Sequence, residues 1–187
     1  MKSNYDIFII EGIDRLGKDL LIKNLQHMLG FHFVIHYQKP ERLLSYAYNL
    51  ELYQRESFVN GFEMIRGIAD SSNHTKVIFN RFHLGENVYA PLYRDYDGNY
   101  VFDFEKQVLD NNPNAFDRVK LVLLTTSDFS FIKDDGESFD FSKKGEEQEM
   151  FKTAFNKSLI RNKAIIDVCD GQGGFKDAFK IAEEVIS

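Results

Sequence analysis

The sequence predicts an α/β fold in which helices cover both faces of a parallel sheet. Apolar runs of strand length alternate with segments whose apolar residues recur at helical spacing. Short apolar strands separated by helices are typical of βαβ units around a buried parallel sheet. The chain has 187 residues, of which 43% are hydrophobic, and this suits one domain with a buried core. We therefore expect a single domain over residues 1–187.

The first half of the chain begins with a strand, a helix and a second strand. Residues 5–11 form a short apolar run that ends at a glycine. Residues 16–29 have apolar side chains at helical spacing, and residues 31–37 are β-branched and aromatic. Residues 41–70 are predicted to form two helices, broken near Glu56 and Ser57.

The second half continues the alternation of strands and helices. Residues 75–79 are predicted to form strand three, and residues 82–94 a helix. A short helix over residues 104–111 ends at an Asn-Pro pair, because the residue before proline disfavours the helical conformation. The remaining predicted elements are strand four at 119–125, strand five at 164–168 and a terminal helix at 175–186.

One segment breaks this pattern. Residues 128–148 are polar, rich in charge and punctuated by glycine. A long polar segment inside a compact domain is usually functional or disordered. Two interpretations stay open, a mobile lid over a binding site and a solvated loop.

Composition and charge exclude several classes of protein. Cys169 is the single cysteine, so the chain has no disulfide framework and no cysteine-rich zinc site. The apolar runs are far shorter than the ~20 residues that cross a membrane, and a cytoplasmic location is the simplest expectation. The net charge is −6, which makes the chain a poor binder of duplex DNA. Eighteen Phe and nine Tyr indicate a core rich in aromatic side chains.

The most specific motif lies between the first strand and the first helix. It fits G-x-x-x-x-G-K, the pattern of a loop that wraps the phosphates of a nucleotide. Its glycines permit a tight turn, and the following helix adds its positive end. The lysine supplies a mobile positive charge for the outer phosphates. We call residues 12–19 the phosphate loop, with the sequence Gly12-Ile13-Asp14-Arg15-Leu16-Gly17-Lys18-Asp19.

The last position of the phosphate loop departs from the motif. The motif has Ser or Thr there to bind Mg²⁺, whereas this chain has Asp19. A carboxylate is a hard oxygen ligand that suits Mg²⁺ directly or through water. We therefore expect ATP to bind at the phosphate loop, with Mg²⁺ as cofactor and Asp19 as its ligand. The base-recognition segments of a signalling GTPase are missing from the sequence, so a small-molecule kinase is the better assignment.

Two further arginines favour a second anionic ligand. Arg81 directly follows strand three, at the carboxyl edge of the sheet where α/β folds bind ligands. Arg42 lies near a predicted helix start, where the helix dipole disfavours a cation. An anion is therefore its favoured partner, and a surface salt bridge with Glu41 is the alternative.

A third candidate pair is Phe62 and Arg66, which lie four residues apart and share a helix face. A flat ring beside a planar guanidinium suits an aromatic base with hydrogen-bonding edges. The alternative is that Phe62 belongs to the core and Arg66 extends over it.

Together and in this order, these motifs resemble thymidylate kinases. The phosphate loop resembles that of the thymidylate kinases that carry an arginine within this loop. The run from Arg81 to Tyr89 is similar to phage-encoded and deoxynucleoside-kinase-like relatives. The remaining points of resemblance are Lys39-Pro40-Glu41-Arg42 for the family's Pro-Glu-Arg segment, Phe62 and Arg66 for its Phe-x-x-x-Arg pair, Asn80-Arg81-Phe82 for its Asp-Arg-Tyr/Phe, and Tyr89 for the aromatic residue that crowds a ribose 2′-hydroxyl.

The resemblance implies a P-loop fold with three α/β/α layers, a five-stranded parallel sheet in the order 2-3-1-4-5, and a homodimer. It implies phosphoryl transfer from ATP to a deoxynucleoside monophosphate, dTMP or a close pyrimidine analogue. The implied roles are Lys18 on the ATP phosphates, Arg15 between the two substrates, Asp14, Arg42 and Arg81 on the acceptor sugar or phosphate, Phe62 and Arg66 on the base, Glu86 near the sugar or metal, and Tyr89 beside the ribose.

Three alternatives remain open at the level of sequence. A deoxynucleoside kinase needs a carboxylate base for the sugar hydroxyl, and Glu11 or Glu86 could serve. A kinase acting on a modified base within DNA is disfavoured by the acidic charge. A nucleotide-binding module without turnover is the third, because Asp19 and Asn80 both depart from the family's pattern.

Overall fold

A computed structural model of the chain describes residues 3–30, 33–37, 49–71, 75–134 and 140–187. Within these ranges, five parallel strands form one sheet in the order β2-β3-β1-β4-β5, which confirms the predicted order. The strands are β1 (Ile7–Glu11), β2 (Phe33–His36), β3 (Val77–Asn80), β4 (Val119–Thr125) and β5 (Lys163–Asp167).

Six α-helices occur over the same described ranges and form two layers. Helix α1 packs on α6, whereas α2 packs on α4, α4 on α3 and α3 on α5. With the sheet between them, these layers give the predicted three-layer α/β/α architecture. The helices are α1 (Lys18–Leu29), α2 (Leu50–Asp70), α3 (His83–Tyr93), α4 (Tyr100–Asn111), α5 (Lys144–Lys157) and α6 (Ala178–Ile186), and a 3₁₀ turn (Phe141–Lys143) precedes α5.

The core follows from the central strands. Every residue of β1 and of β4 is buried, as expected for strands covered by helices on both faces. Ile10 on β1 lies opposite Asn80 on β3 and Val122 on β4. Because the strands are parallel, the loops that follow β1, β3 and β4 leave the sheet at one edge. This edge carries the candidate site.

Two helices differ from their predictions. Helix α2 runs without interruption from Leu50 to Asp70, so the predicted break near Glu56 is wrong. Helix α5 was not predicted, because its first turn buries polar side chains instead of apolar ones. Its first residues belong to the segment 128–148, for which the sequence leaves a mobile lid and a solvated loop open. Among the described residues, no helix is both long and apolar enough to cross a membrane.

Candidate active site

The phosphate loop has the backbone conformation of a tight turn. Gly12, Arg15 and Gly17 all have positive φ angles, of 133°, 76° and 75°. A β-carbon placed on Gly12 would lie 2.5 Å from the carbonyl oxygen of Leu124 on β4. The first position therefore requires glycine for its conformation and also for its closeness to the neighbouring strand. A positive φ at Arg15 is costly for a residue with a side chain, and such strain is concentrated at functional sites.

Helix α1 begins directly after this loop. Its N-cap is Gly17, and no described side chain caps the first turn. The first N–H groups of a helix lack partners within the helix, and side chains of Ser, Thr, Asp or Asn usually satisfy them. An uncapped helix start after a glycine loop is suited to bind the oxygens of a phosphate group.

Lys18 lies at the base of the loop with its side chain buried. Its ammonium group donates hydrogen bonds to the carbonyl oxygens of Gly12, at 2.9 Å, and of Ile13. Burial lowers the pKa of Lys18 to about 7, and the positive charge of Arg81 contributes in the same direction. An anion in this loop would reverse both effects, because it would supply the negative charge that the buried ammonium lacks.

Arg81 extends from the carboxyl end of β3 toward the same loop. Its guanidinium forms an ion pair with the carboxylate of Asp14, and its backbone has a positive φ of 62°. Burial acts to raise the pKa of Asp14, but nearby cations, Lys18 and Arg81 foremost, outweigh it and hold the pKa below its usual value. Asp14 therefore stays ionised, and it fixes Arg81 beside the loop.

Asp19 and Asn80 contact each other directly. The amide nitrogen of Asn80 donates to the carboxylate of Asp19 at 2.9 Å, and it also lies 3.0 Å from Nδ1 of His36. The amide oxygen of Asn80 is buried and has no hydrogen-bond partner among the described residues. The two positions that depart from the thymidylate kinase pattern are thus neighbours in the fold.

A magnesium ion fits these oxygen donors. Mg²⁺ prefers hard oxygen ligands, and it is usually bound by one or two carboxylates together with substrate phosphates and water. Asp19 offers a carboxylate and Asn80 an unpaired amide oxygen. Within the described ranges, no cluster of three or more His, Cys, Asp or Glu side chains could hold a metal. An ion at this place would therefore depend on the phosphates of a bound nucleotide.

The predicted residues around the phosphate loop come together in one cleft of about 790 Å³, a volume that suits small-molecule ligands. The side chains of Ile13 and Leu16 point instead into the core, where they are 1% and 2% exposed. The predicted site residues that line the cleft are Asp14, Arg15, Gly17, Lys18, Asp19, Arg81, Glu86 and Tyr89.

Glu86 is a fixed anionic group on one wall of this cleft. It is 3% exposed, and it pairs with the guanidinium of Arg94. The hydroxyl groups of Tyr96 and Tyr100 both donate to its carboxylate at 2.7 Å. Three donors therefore hold the carboxylate in one orientation, with Arg94 also lining the cleft.

Tyr89 lies on the same helix, close to several charges. Burial, together with the negative charges of Asp14 and Glu147, raises the pKa of Tyr89 well above its usual value. Its hydroxyl therefore keeps its proton at neutral pH.

Glu11 has a structural position. Its carboxylate accepts hydrogen bonds from the backbone N–H groups of Phe82, at 3.0 Å, and Leu84, at 2.9 Å, and it thus caps the start of α3. Burial raises its pKa, against the opposing charge of His83. Glu11 is fully buried and is not among the described residues that line the cleft.

The structure does not bring Phe62 and Arg66 to the cleft. Phe62 is 2% exposed and packs against the rings of Phe82 and His83 in the core. Arg66 forms an ion pair with Glu63 on the exposed face of α2. Neither is among the described residues that line the cleft. The core interpretation of Phe62 therefore applies, because the two residues lie further along α2 than the part that borders the cleft.

Three residues that line the cleft were not predicted from the sequence. Gln54 and Phe58 of α2 and Tyr37 after β2 line the cleft. Gln54 and Phe58 have the same four-residue spacing as Phe62 and Arg66, so the spacing alone could not choose between the pairs. Arg42 lies outside the described residues. The described lining of the cleft also includes Leu20, Phe131, Ile132, Lys133 and Phe175.

The sequence matches no family model and no curated protein. Solved structures match over nearly the whole chain. The YorR protein from Bacillus subtilis, in complex with phosphorylated GDP, has a TM-score of 0.63 and 21% identity over 96% of this chain and 93% of that one. Thymidylate kinase from Candida albicans has a TM-score of 0.55 and 15% identity over 98% and 90% of the two chains.

A third similar structure is polyphosphate kinase 2 from Arthrobacter aurescens, with a TM-score of 0.60 and 11% identity. The match covers 96% of this chain but 65% of that one. At these identities the likeness concerns the fold. The strand order, the phosphate loop and the matching structures together show that the chain has the fold of the P-loop kinases.

Proposed function

We propose that the chain transfers a phosphoryl group from ATP to the 5′-phosphate of a deoxynucleoside monophosphate, dTMP or a close pyrimidine analogue. The observation that carries this proposal is that Lys18, Arg15 and Arg81 line one cleft. Three basic side chains that converge on one cleft, in a chain of net charge −6, are suited to hold two phosphate-bearing ligands together.

The donor binds at the phosphate loop. The uncapped start of α1 and the glycine loop receive the phosphates of ATP, and the ammonium of Lys18 follows the outer phosphates. Mg²⁺, when bound with ATP, neutralises part of the phosphate charge, and Asp19 and Asn80 would hold it. The exposed Arg15 lies at the mouth of the same loop, where it stabilises the charge of the transferred group.

The acceptor phosphate binds at Arg81. In the free protein the carboxylate of Asp14 pairs with this guanidinium. The acceptor phosphate would bind the same guanidinium as a second anion. The reaction needs no general base, because an oxygen of the acceptor phosphate is already a nucleophile. Catalysis then consists of holding the two anions in line and neutralising their charge.

The segment 128–148 acts in this proposal as a lid that excludes water. Lys133 lines the cleft from this segment, and Lys144 lies near enough to Asp14 to lower its pKa. Closure over two bound anions would bring Lys133 closer to the phosphates, while Lys144 stays in α5, held by its ion pair with Glu147. By resemblance to thymidylate kinases we also propose a homodimer in the cytoplasm and a phage-type enzyme. Light scattering of the purified chain tests the dimer.

The proposal is tested with ATP labelled in its terminal phosphate. Purified protein receives dTMP, dCMP, thymidine or no acceptor, and the labelled products are separated. We expect label in dTDP or another diphosphate, and none with Lys18→Met. Label in thymidine monophosphate would instead identify a deoxynucleoside kinase, for which Glu86 in the cleft is the candidate base. Thermal stabilisation by ATP or dTMP without any ADP would indicate a binding module without turnover.

A further inference from the structure

We infer that Gln54 and Phe58 of α2 bind the base of the acceptor nucleotide, in place of Phe62 and Arg66. The inference rests on the proposed function, because it assigns the base end of the proposed acceptor. Both side chains line the cleft that also contains Lys18 and Arg81. They lie one helical turn apart, so they present one continuous patch of α2 to a ligand.

Gln54 is a largely buried side chain whose amide has no hydrogen-bond partner in the described part of the chain. It is 6% exposed and lines the cleft, yet its side chain has no hydrogen bond with any residue in the described part of the chain. Buried polar side chains in folded proteins are nearly always hydrogen-bonded. The amide atoms of Gln54 are not among the fully buried unpaired atoms of the described residues, so they keep contact with the cleft and are placed to bond a ligand there.

Phe58 belongs to a rigid aromatic wall next to this amide. Its ring stacks on Tyr37, with centroids 5.1 Å apart and an interplanar angle of 16°, and it packs against Phe82 at 5.6 Å. The hydroxyl of Tyr37 donates to the carbonyl of Ser57 at 3.3 Å. A side chain at Gly61 would collide with Tyr37 and Phe82. This glycine therefore allows α2 to approach the wall closely.

The same part of α2 also contacts α4. The guanidinium of Arg55 lies 4.1 Å from the centre of the Tyr100 ring, a cation–π contact. The hydroxyl of Tyr100 donates to Glu86 at 2.7 Å, and Glu86 lines the cleft. Gln54, next to Arg55 in the chain, thus lies on a segment that is anchored on both sides.

The chemistry of an amide suits the edge of a base. A glutamine amide presents an N–H donor beside a C=O acceptor. Thymine presents an acceptor oxygen beside an N–H donor, and cytosine presents the same two roles in reversed order. Because the amide can turn by half a rotation about its last bond, one Gln54 can pair with either pyrimidine. The inference therefore predicts that the binding of dTMP and the binding of dCMP both depend on Gln54.

Calorimetric binding of three ligands tests the inference. The ligands are dTMP, dCMP and 2-deoxyribose 5-phosphate, which has the phosphate and sugar but no base. We expect Gln54→Leu to weaken binding of both nucleotides by about 10- to 100-fold, as for the loss of a bidentate pair, and to leave the sugar phosphate unchanged. Gln107→Leu is the matched control, because Gln107 is exposed on α4 and borders a separate small groove with Phe62.

A second pair of variants tests the ring. Phe58→Leu should weaken nucleotide binding without changing binding of the sugar phosphate, whereas Phe62→Leu and Arg66→Ala should leave both unchanged. Gln54→Asn keeps the amide on a shorter side chain and should also weaken binding of both nucleotides. It replaces Gln54→Leu in the test if that variant folds poorly.

The possible outcomes separate this inference from the proposed function. The inference is overturned if Gln54→Leu and Gln54→Asn bind nucleotides as tightly as the wild type. It is also overturned if Arg66→Ala weakens nucleotide binding instead. The inference also fails if the wild type binds dTMP no more tightly than the sugar phosphate. In that case, transfer of phosphate to monophosphates would still support the proposed function. If nucleotide binding depends on Gln54 but no monophosphate is ever phosphorylated, the inference stands and the proposed function fails.

Discussion

Binding of ATP is expected to draw a proton from solution into Lys18. In the free protein, burial and the nearby Arg81 lower the pKa of Lys18 to about 7. The triphosphate places negative charge beside the ammonium, which favours its protonated form. Binding should therefore return the pKa toward its ordinary value near 10.5, so that the bound protein holds a proton that the free protein has lost.

The size of the effect follows from the two pKa values. At pH 8 a lysine with a pKa near 7 is only about one-tenth protonated, and the bound lysine is fully protonated, so uptake is about 0.9 proton per ATP. At pH 6 both states are protonated, and Lys18 contributes only about 0.1 proton. Since binding takes up protons above neutral pH, the association constant should fall by nearly tenfold (about 0.9 log unit) from pH 8 to pH 9.

Calorimetry in buffers of different ionisation enthalpy measures this uptake. Lys18→Arg should bind ATP with no uptake at pH 8, because its guanidinium is charged throughout. Lys180→Met, which removes an exposed lysine of α6, should behave like the wild type. The reasoning is refuted if the wild type takes up no proton at pH 8, or if Lys18→Arg takes up as many as the wild type.

Three further substitutions have defined outcomes. Arg15→Ala should lower kcat by about 100-fold or more with little change in ATP binding; intact turnover would remove Arg15 from the mechanism. Gly12→Ala should destabilise the fold by about 2 kcal/mol or more in urea denaturation, because it combines a positive φ with a collision against β4; unchanged stability would contradict the loop geometry. Glu86→Gln should cost about 2 kcal/mol in the same assay, since it leaves Arg94, whose side chain is 9% exposed, without its charge partner, whereas Gln107→Leu should cost almost nothing.

The fold was largely predictable from the sequence, because its strongest signals are local. The buried runs of β1 and β4 and the glycine loop between β1 and α1 identify themselves by residue type and spacing. The continuity of α2 was not visible, because Glu56 and Ser57 interrupt the apolar pattern without breaking the helix. Helix α5 escaped because buried polar residues, such as Lys144 and Glu147, bond to each other in its first turn.

The candidate site was predictable where the chain itself fixes the geometry. Lys18 directly follows the glycine loop and Arg81 directly follows β3, so their convergence at one edge of the sheet could be predicted. The residues of α2 depend on how far that helix extends past the cleft, which no local pattern encodes. For this reason the sequence predicts Phe62 and Arg66 for the base, whereas the described residues of α2 that line the cleft are Gln54 and Phe58. The contact between Asp19 and Asn80 likewise joins residues 61 positions apart.

The most direct test of the central claim uses a bisubstrate analogue, in which the phosphates of ATP and dTMP are joined in one chain. The claim is that the cleft binds two phosphate-bearing ligands side by side, one at Lys18 and one at Arg81. The analogue should bind at least about 100-fold more tightly than either nucleotide alone, and both Lys18→Met and Arg81→Ala should abolish this gain. An affinity no greater than that of ATP, or a gain that survives Arg81→Ala, would contradict the claim.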